Sequence, residues 1–214
     1  DISGVTGNNG IYNINPETIK GETGFRQYEN FNLSKGDIAN LIFKYGADNI
    51  EHFINLVDNK INIEGIVNSM RDNQFYNGHA IFVSPNGMVV GASGVLNVGS
   101  LSVYTPSQAD YKRYINGGYE GNLASLERGT ADIKINGKVF TKGDINLIGR
   151  DVAINSKGAL IAGANNGGAL LTSHEGADIL FNSLVNTSNI KPADKIAIEN
   201  GNIMIKTDVR DGGI

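Results

Sequence analysis

Short apolar runs separated by turn residues dominate the chain from about Ile61 onward. Ile61-Asn62-Ile63-Glu64-Gly65-Ile66-Val67 alternates apolar and polar, then breaks into the polar stretch Asn68 to Gly78. Ala80–Val83 ends at Ser84-Pro85-Asn86-Gly87. Met88-Val89-Val90 follows, and after Gly91-Ala92-Ser93-Gly94 comes a run from Val95 to Val103. A second series opens near Ala131. It comprises Asp132–Asn136, Gly137–Phe140, Asp144–Ile148, Asp151–Asn155 (closed by Ser156-Lys157-Gly158), Ala159–Ala162 and Ala169–Leu171. Lys195–Glu199 and Asn202–Lys206 repeat the pattern around Asn200-Gly201. Such runs are too short for helices and carry the turn punctuation of strands.

The strand–turn units recur roughly every eight to twelve residues, a spacing that suits a sandwich, a barrel or a solenoid. Many units read polar-Ile-polar-Ile-polar, which makes one face aliphatic and the other charged or amide. Stacked in parallel, those aliphatic residues would form one interior column. The pattern therefore favours a right-handed parallel β-helix, with a sandwich still open on pattern alone. Three segments predict short helices: Ser107–Tyr114, with Ser107 as N-cap and Asp110 three residues on; Asn122–Arg128; and Ala177–Val185. Ser34–Tyr45 is ambiguous, and Leu41-Ile42-Phe43 within it is read as strand.

Composition sharpens this picture. Gly and Asn number 28 each, about a quarter of the 214 residues together. Both tolerate positive φ and close tight turns. Asn side chains can also stack in amide ladders where strands repeat along an axis. Cysteine is absent, so there is no disulfide framework and no thiolate metal site. The net charge of -4 and the lack of a basic cluster argue against nucleic acid as a partner. No apolar run approaches the roughly 20 residues of a membrane-spanning helix. The start at Asp1-Ile2-Ser3-Gly4 carries no leader pattern, so an exported form would have lost its leader. Arg210–Ile214 reads as a cut through a continuing chain. No linker or charge block divides the chain, so residues 1–214 are expected to form a single domain.

Candidate chemistry is sparse. His52, His79 and His174 stand apart in the sequence, with no neighbour at metal-ligand spacing, and no metal, cofactor or catalytic role is expected of them. Gly163 to Gly168 is glycine-rich but lacks the lysine of a phosphate loop, and reads as a turn. Asp132, Asp144 and Asp151 sit at strand lips, where an acidic polysaccharide-active enzyme would place carboxylates but where turn capping is the commoner use. The densest stretch runs from Phe82 to Leu101. There Pro85 presets φ for the first central position of a β-turn, and Asn86 or Gly87 supplies a permissive next one.

That stretch resembles the two-partner secretion, or haemagglutination-activity, domain of the filamentous haemagglutinin family. The family's hallmark is an Asn-Pro-Asn-Gly-Ile segment; here Ser84-Pro85-Asn86-Gly87-Met88 stands in its place, followed by a Gly-rich strand and by Gly99-Ser100-Leu101. Gly78-His79-Ala80-Ile81-Phe82 and Thr105-Pro106-Ser107-Gln108-Ala109-Asp110-Tyr111 look like leukotoxin-type filamentous adhesins within that family. The resemblance runs from about Asn30 to Leu171. A second, upstream Asn-Pro-Asn-Leu-type turn belongs to the family. Asn59-Lys60-Ile61-Asn62 lies in the right region but lacks the proline.

The resemblance implies a right-handed β-helix with an N-terminal cap, forming the N-terminal part of a much larger exoprotein. It implies a non-enzymatic role with no cofactor. The partner it implies is a cognate outer-membrane β-barrel transporter, whose periplasmic domains recognise the chain before it is threaded to the cell surface or secreted. Initial recognition through strand addition would use the alternating segments Ile61–Val67 and Ala131–Asn136, where proline should weaken binding. A directly host-binding adhesive module and a β-helical polysaccharide-active enzyme are the alternatives.

Overall fold

The computed structural model describes residues 1–155, 159–163, 168–187, 196–200 and 203–206. The expected turns at Ser156-Lys157-Gly158 and Ala164–Gly167, and the tail Arg210–Ile214, lie outside these residues.

The chain is mostly β, with three large sheets that are parallel over nearly all of their pairings. Sheet I orders Ile11–Ile14, Ile38–Ile42, Ile66–Arg71, Val95–Val98, Lys138–Thr141 and Ala159–Ile161. Sheet II runs through Thr23–Tyr28, His52–Val57, His79–Val83, Ser100–Tyr104, Ile145–Gly149 and Ile196–Asn200. An antiparallel strand closes each of its ends, Thr18–Lys20 at one and Ile203–Lys206 at the other. Sheet III is narrow, and orders Asn32–Leu33, Ile61–Ile63, Met88–Val90, Ile133–Ile135 and Val152–Ile154.

From Asn32 onward the chain visits sheets III, I and II in that order and then begins again. Equivalent positions are separated by 27 residues at His52 and His79, 28 at Asn40 and Asn68, and 29 at Asn68 and Asn97. The circuit from His79 to Ser100 takes only 21, and the one that holds an insertion after Tyr104 is stretched to 43–45. The register keeps like residues above like, with Ile38, Ile66 and Val95 aligned in sheet I and Ile61, Met88 and Ile133 in sheet III. Period-2 alternation therefore sends one column from each strand into a common interior. Leu41, Val67 and Leu96 enter from sheet I, Phe53, Phe82 and Leu101 from sheet II, and Ile63, Val90 and Ile135 from sheet III. All nine are fully buried. Phe31 packs edge-on against Phe82, and Phe43 against Phe53. Burial of each such side chain stabilises by roughly 1.5–3 kcal/mol.

At the corner between sheets III and I the strands nearly touch. Gly137 lies against the Gly94 carbonyl of the preceding circuit, where any Cβ would collide with backbone. Glycine there is a requirement of close approach rather than of flexibility.

Two outer faces are covered by insertions. Helix α1, Gln108–Asn116, is capped by Ser107, whose hydroxyl accepts from the Asp110 amide at 3.2 Å. A 3-10 turn follows at Leu123–Ser125. Tyr111, Tyr114 and Leu123 pack on Ile54, Ile81 and Val83 of sheet II. Helix α2, His174–Thr187, and Leu171 cover Ile66, Val95, Phe140 and Ile161 on sheet I. The expected helices are thus present, and Ile38–Ile42 confirms the strand reading of Ser34–Tyr45.

Two expectations fail in detail. Asn68–Arg71 does not break the strand; it continues it, and Asn68 and Ser69 are buried. Ala169–Leu171 is not a strand but a strap across sheet I. The strap exists because the outer face of sheet I carries a ladder of amides. Asn40 Nδ2 donates to Asn13 Oδ1, Asn68 to Asn40 and Asn97 to Asn68, at 3.1, 3.1 and 2.9 Å. The strap meets further amide valences of Asn68 and Asn97. Asn68 donates to the Leu171 carbonyl at 2.9 Å and accepts from its amide at 3.1 Å, while Asn97 donates to the Ala169 carbonyl at 3.0 Å.

Candidate functional site

Ser84–Gly87 forms the turn between His79–Val83 of sheet II and Met88–Val90 of sheet III. Pro85 takes the first central position and Asn86 the second. The Gly87 amide closes the turn on the Ser84 carbonyl at 3.3 Å. The positive φ falls on Gly87, at +87°, and not on Asn86. A Cβ on Gly87 would strike the Asp132 carbonyl oxygen in the next circuit. Ser84 is buried; its hydroxyl accepts from the Asn86 amide at 3.1 Å and donates to the Asn59 carbonyl at 2.9 Å. Met88 is buried in the interior between Ile61 and Ile133.

The turn is tied to circuits on both sides. Downstream, the Ser84 amide donates to the Tyr104 carbonyl and the Met88 amide to the Asp132 carbonyl, at 3.1 and 3.2 Å. Upstream, the Ile61 amide donates to the Gly87 carbonyl at 3.0 Å. The exposed Asn86 side chain donates to the Asp58 carbonyl at 2.7 Å and accepts from Gln108 on α1 at 3.3 Å.

The two candidate stretches lie side by side. Asn59 and Lys60 form the corresponding turn one circuit earlier, directly against Ser84–Asn86, and Ile61 and Asn62 enter sheet III beside Met88 and Val89. Asn59 in turn donates to Asn30 Oδ1 at 2.9 Å, and Asn62 to Asn32 Oδ1 at 2.8 Å. The Asn59–Lys60 turn forms without a proline, held by the Tyr28 and Glu29 carbonyls, which accept from the Asp58 and Asn59 amides.

Between this column of turns and α1 lies a groove of about 510 Å3, lined by Gln27, Asn59, Asn86, Gln108, Lys112 and Asn116 among others. Its floor is fixed by the Tyr111 hydroxyl, which donates to Asp58 Oδ1 at 2.8 Å. Burial, aided by Asp58, holds that phenol far above its ordinary pKa. The groove offers amide donors and acceptors of the kind that pair with extended backbone or with hydroxyl-rich ligands.

The segments expected to add to a partner's sheet, Ile61–Ile63 and Ile133–Ile135, are each paired on both edges within sheet III. Strand addition there requires the chain before folding. Of the acidic candidates, Asp132 is bound by Arg150 at 3.1 and 3.2 Å, which lowers its pKa, and Asp151 lies 3.6 Å from the same guanidinium. Among the described residues no three His, Cys, Asp or Glu side chains converge, and no helix is long and apolar enough to cross a membrane.

One expectation needs correction. His52 and His79 do not stand alone. The 27-residue circuit sets them side by side in sheet II, with Nδ1 atoms 2.9 Å apart, and His79 Nε2 lies 2.8 Å from Ser102 Oγ. Burial, then the neighbouring His52, lowers the His79 pKa to about 4. The unfolded chain protonates this ring near pH 6.5 and the folded chain only near pH 4, so between these values the unfolded state binds more protons. Stability present at neutral pH is therefore lost as pH falls from about 6.5 toward 4, by on the order of 2–3 kcal/mol. His52, Tyr104, Tyr114 and Tyr119 face the same space. Urea unfolding at pH 7 and pH 4.5 should show this loss in the native chain and a smaller one in His79→Gln.

No family model matches the chain, and no curated protein matches it.

Proposed function

We propose that the chain is the secretion domain of a large bacterial surface protein, folded as a right-handed parallel β-helix and acting without enzymatic chemistry. The observation that carries this reading is the turn Ser84–Met88 and the column in which it sits. Corners of this fold carry bonds to the circuits beside them. This one has them on both sides, through Ser84, Asn86, Gly87 and Met88. The repeated visit to sheets III, I and II supports the β-helix, and the general preference of parallel-strand crossovers for the right hand supports its handedness.

On this reading the periplasmic domains of an outer-membrane β-barrel transporter recognise the chain while it is extended. The chain emerges at the cell surface and folds circuit upon circuit, each one templated by the last. Burial of each new interior layer then offsets the conformational entropy of the extended chain and gives export its direction. The absence of cysteine keeps the chain threadable in an oxidising compartment.

The test is export of this fragment behind a signal peptide, with and without its partner transporter. Asn86→Ala serves as the motif variant because it removes side-chain bonds at an exposed site and leaves the backbone bonds of the turn in place. Partner-dependent appearance in the medium, reduced at least about tenfold by Asn86→Ala, is the expected result. Retention of the native fragment in the periplasm despite the partner refutes the secretion reading.

A further inference from the structure

We propose that His52 and His79 form a binding site for a divalent transition-metal ion, with Cu2+ preferred. The two residues are direct cross-strand neighbours in sheet II, and their strands are paired on both outer edges as well, by Thr23–Tyr28 and Ser100–Tyr104. The backbone spacing of the rings is therefore fixed before any ion arrives. Their Nδ1 atoms are 2.9 Å apart and the rings are nearly perpendicular, at 76°.

That separation selects among ions. Metal–imidazole bonds of about 2.0–2.1 Å set at a right angle place two nitrogens about 2.9 Å apart, whereas a tetrahedral angle spreads them to about 3.4 Å. The pair thus fits the cis edge of a square-planar or tetragonal ion better than tetrahedral Zn2+. The order of divalent affinities for nitrogen ligands favours Cu2+ over Ni2+ as well.

The surroundings complete the site. With Nε2–H donated to Ser102 Oγ, His79 directs the lone pair of Nδ1 toward His52, and a metal-ligating histidine commonly has such an outer partner. His52 is exposed, so it can shift its proton to Nε2 without disturbing packing. Above the pair is a depression of about 470 Å3, bordered by Thr23, Tyr104, Tyr114 and Tyr119. It leaves room for water or a small anion in the remaining coordination positions. The ion takes the place of the proton between the two rings, and that proton moves to His52 Nε2, so both ligands remain neutral imidazoles.

The test is titration of the folded chain with Cu2+, followed by calorimetry and by electron paramagnetic resonance. The expected result is one ion per chain with nitrogen coupling from two imidazoles, and at least about tenfold weaker binding in His52→Gln. His174→Gln is the control, since His174 bonds the Ser93 carbonyl at 2.8 Å on another face. Circular dichroism verifies that His52→Gln, altered at an exposed position, stays folded. No saturable binding by the native chain, or equal binding by His52→Gln, overturns the proposal.

Discussion

Asn68→Asp is expected to destabilise the fold by on the order of 3–5 kcal/mol, although it exchanges only one NH2 for an oxygen. Asn68 is 1% exposed. Its Nδ2 donates to Asn40 Oδ1 and to the Leu171 carbonyl, while its Oδ1 accepts from Asn97 and from the Leu171 amide. An ionised carboxylate would set a second oxygen against two acceptors and lose both donations. A protonated one would restore a single donation. Either form leaves a buried polar atom without a partner, and such an atom costs more than the hydrogen bond it formerly made. The strap from Ala169 to Leu171 should detach as well, because the ladder is what its backbone bonds. Asn62→Asp, in the exposed pair with Asn32, makes the comparison, and should cost less than about 1 kcal/mol since water replaces the lost partner. Denaturant midpoints of the two variants check this; equal losses would mean that the sheet I ladder is not a stabilising element.

Asn68 also marks the limit of what the sequence discloses. The strands Ala80–Val83, Met88–Val90 and Ile133–Ile135 are legible because alternation directly reports which side chains face the interior. The cap at Ser107 is legible because it acts on an amide three residues away. Asn68–Arg71 is not, because its polarity looks like exposure. What buries Asn68 is Leu171, 103 residues later. Local pattern carries no trace of so distant a cover. Ala169–Leu171 misleads for the same reason: an apolar run can cover a sheet as well as join one.

The site divides along the same line. Ser84–Met88 is visible as a Pro-Asn-Gly turn, but its bonding to neighbouring circuits depends on the repeat length. That length varies from 19 residues between Ile133 and Val152 to 30 between Asn32 and Asn62, and is stretched to 43–45 where α1 is inserted, so it leaves no fixed period to detect. Once the length is known, Asn59 falls beneath Ser84 and His52 beside His79. The missing proline at Asn59–Lys60 and the solitary histidines then become features of one stacked register.

Gly87→Ala is expected to cost about 3–5 kcal/mol, against about 1 kcal/mol for Asn86→Ala one position away. The φ of +87° alone penalises an L-residue by about 1–2 kcal/mol. The added Cβ meets the Asp132 carbonyl, a backbone atom that cannot rotate aside because it accepts from the Met88 amide at 3.2 Å. Relief of the clash separates two circuits at the point where Met88 must enter the interior. Asn86→Ala removes two side-chain hydrogen bonds at an exposed site and leaves every backbone bond in place. Thermal unfolding should separate the variants by roughly 5–15 °C. The same pair discriminates how the turn serves export. If Asn86→Ala folds normally yet fails to reach the medium, the turn's amide surface is itself recognised. If only Gly87→Ala fails, the motif acts through the stacking of circuits, and folding outside the cell is the step that the turn controls.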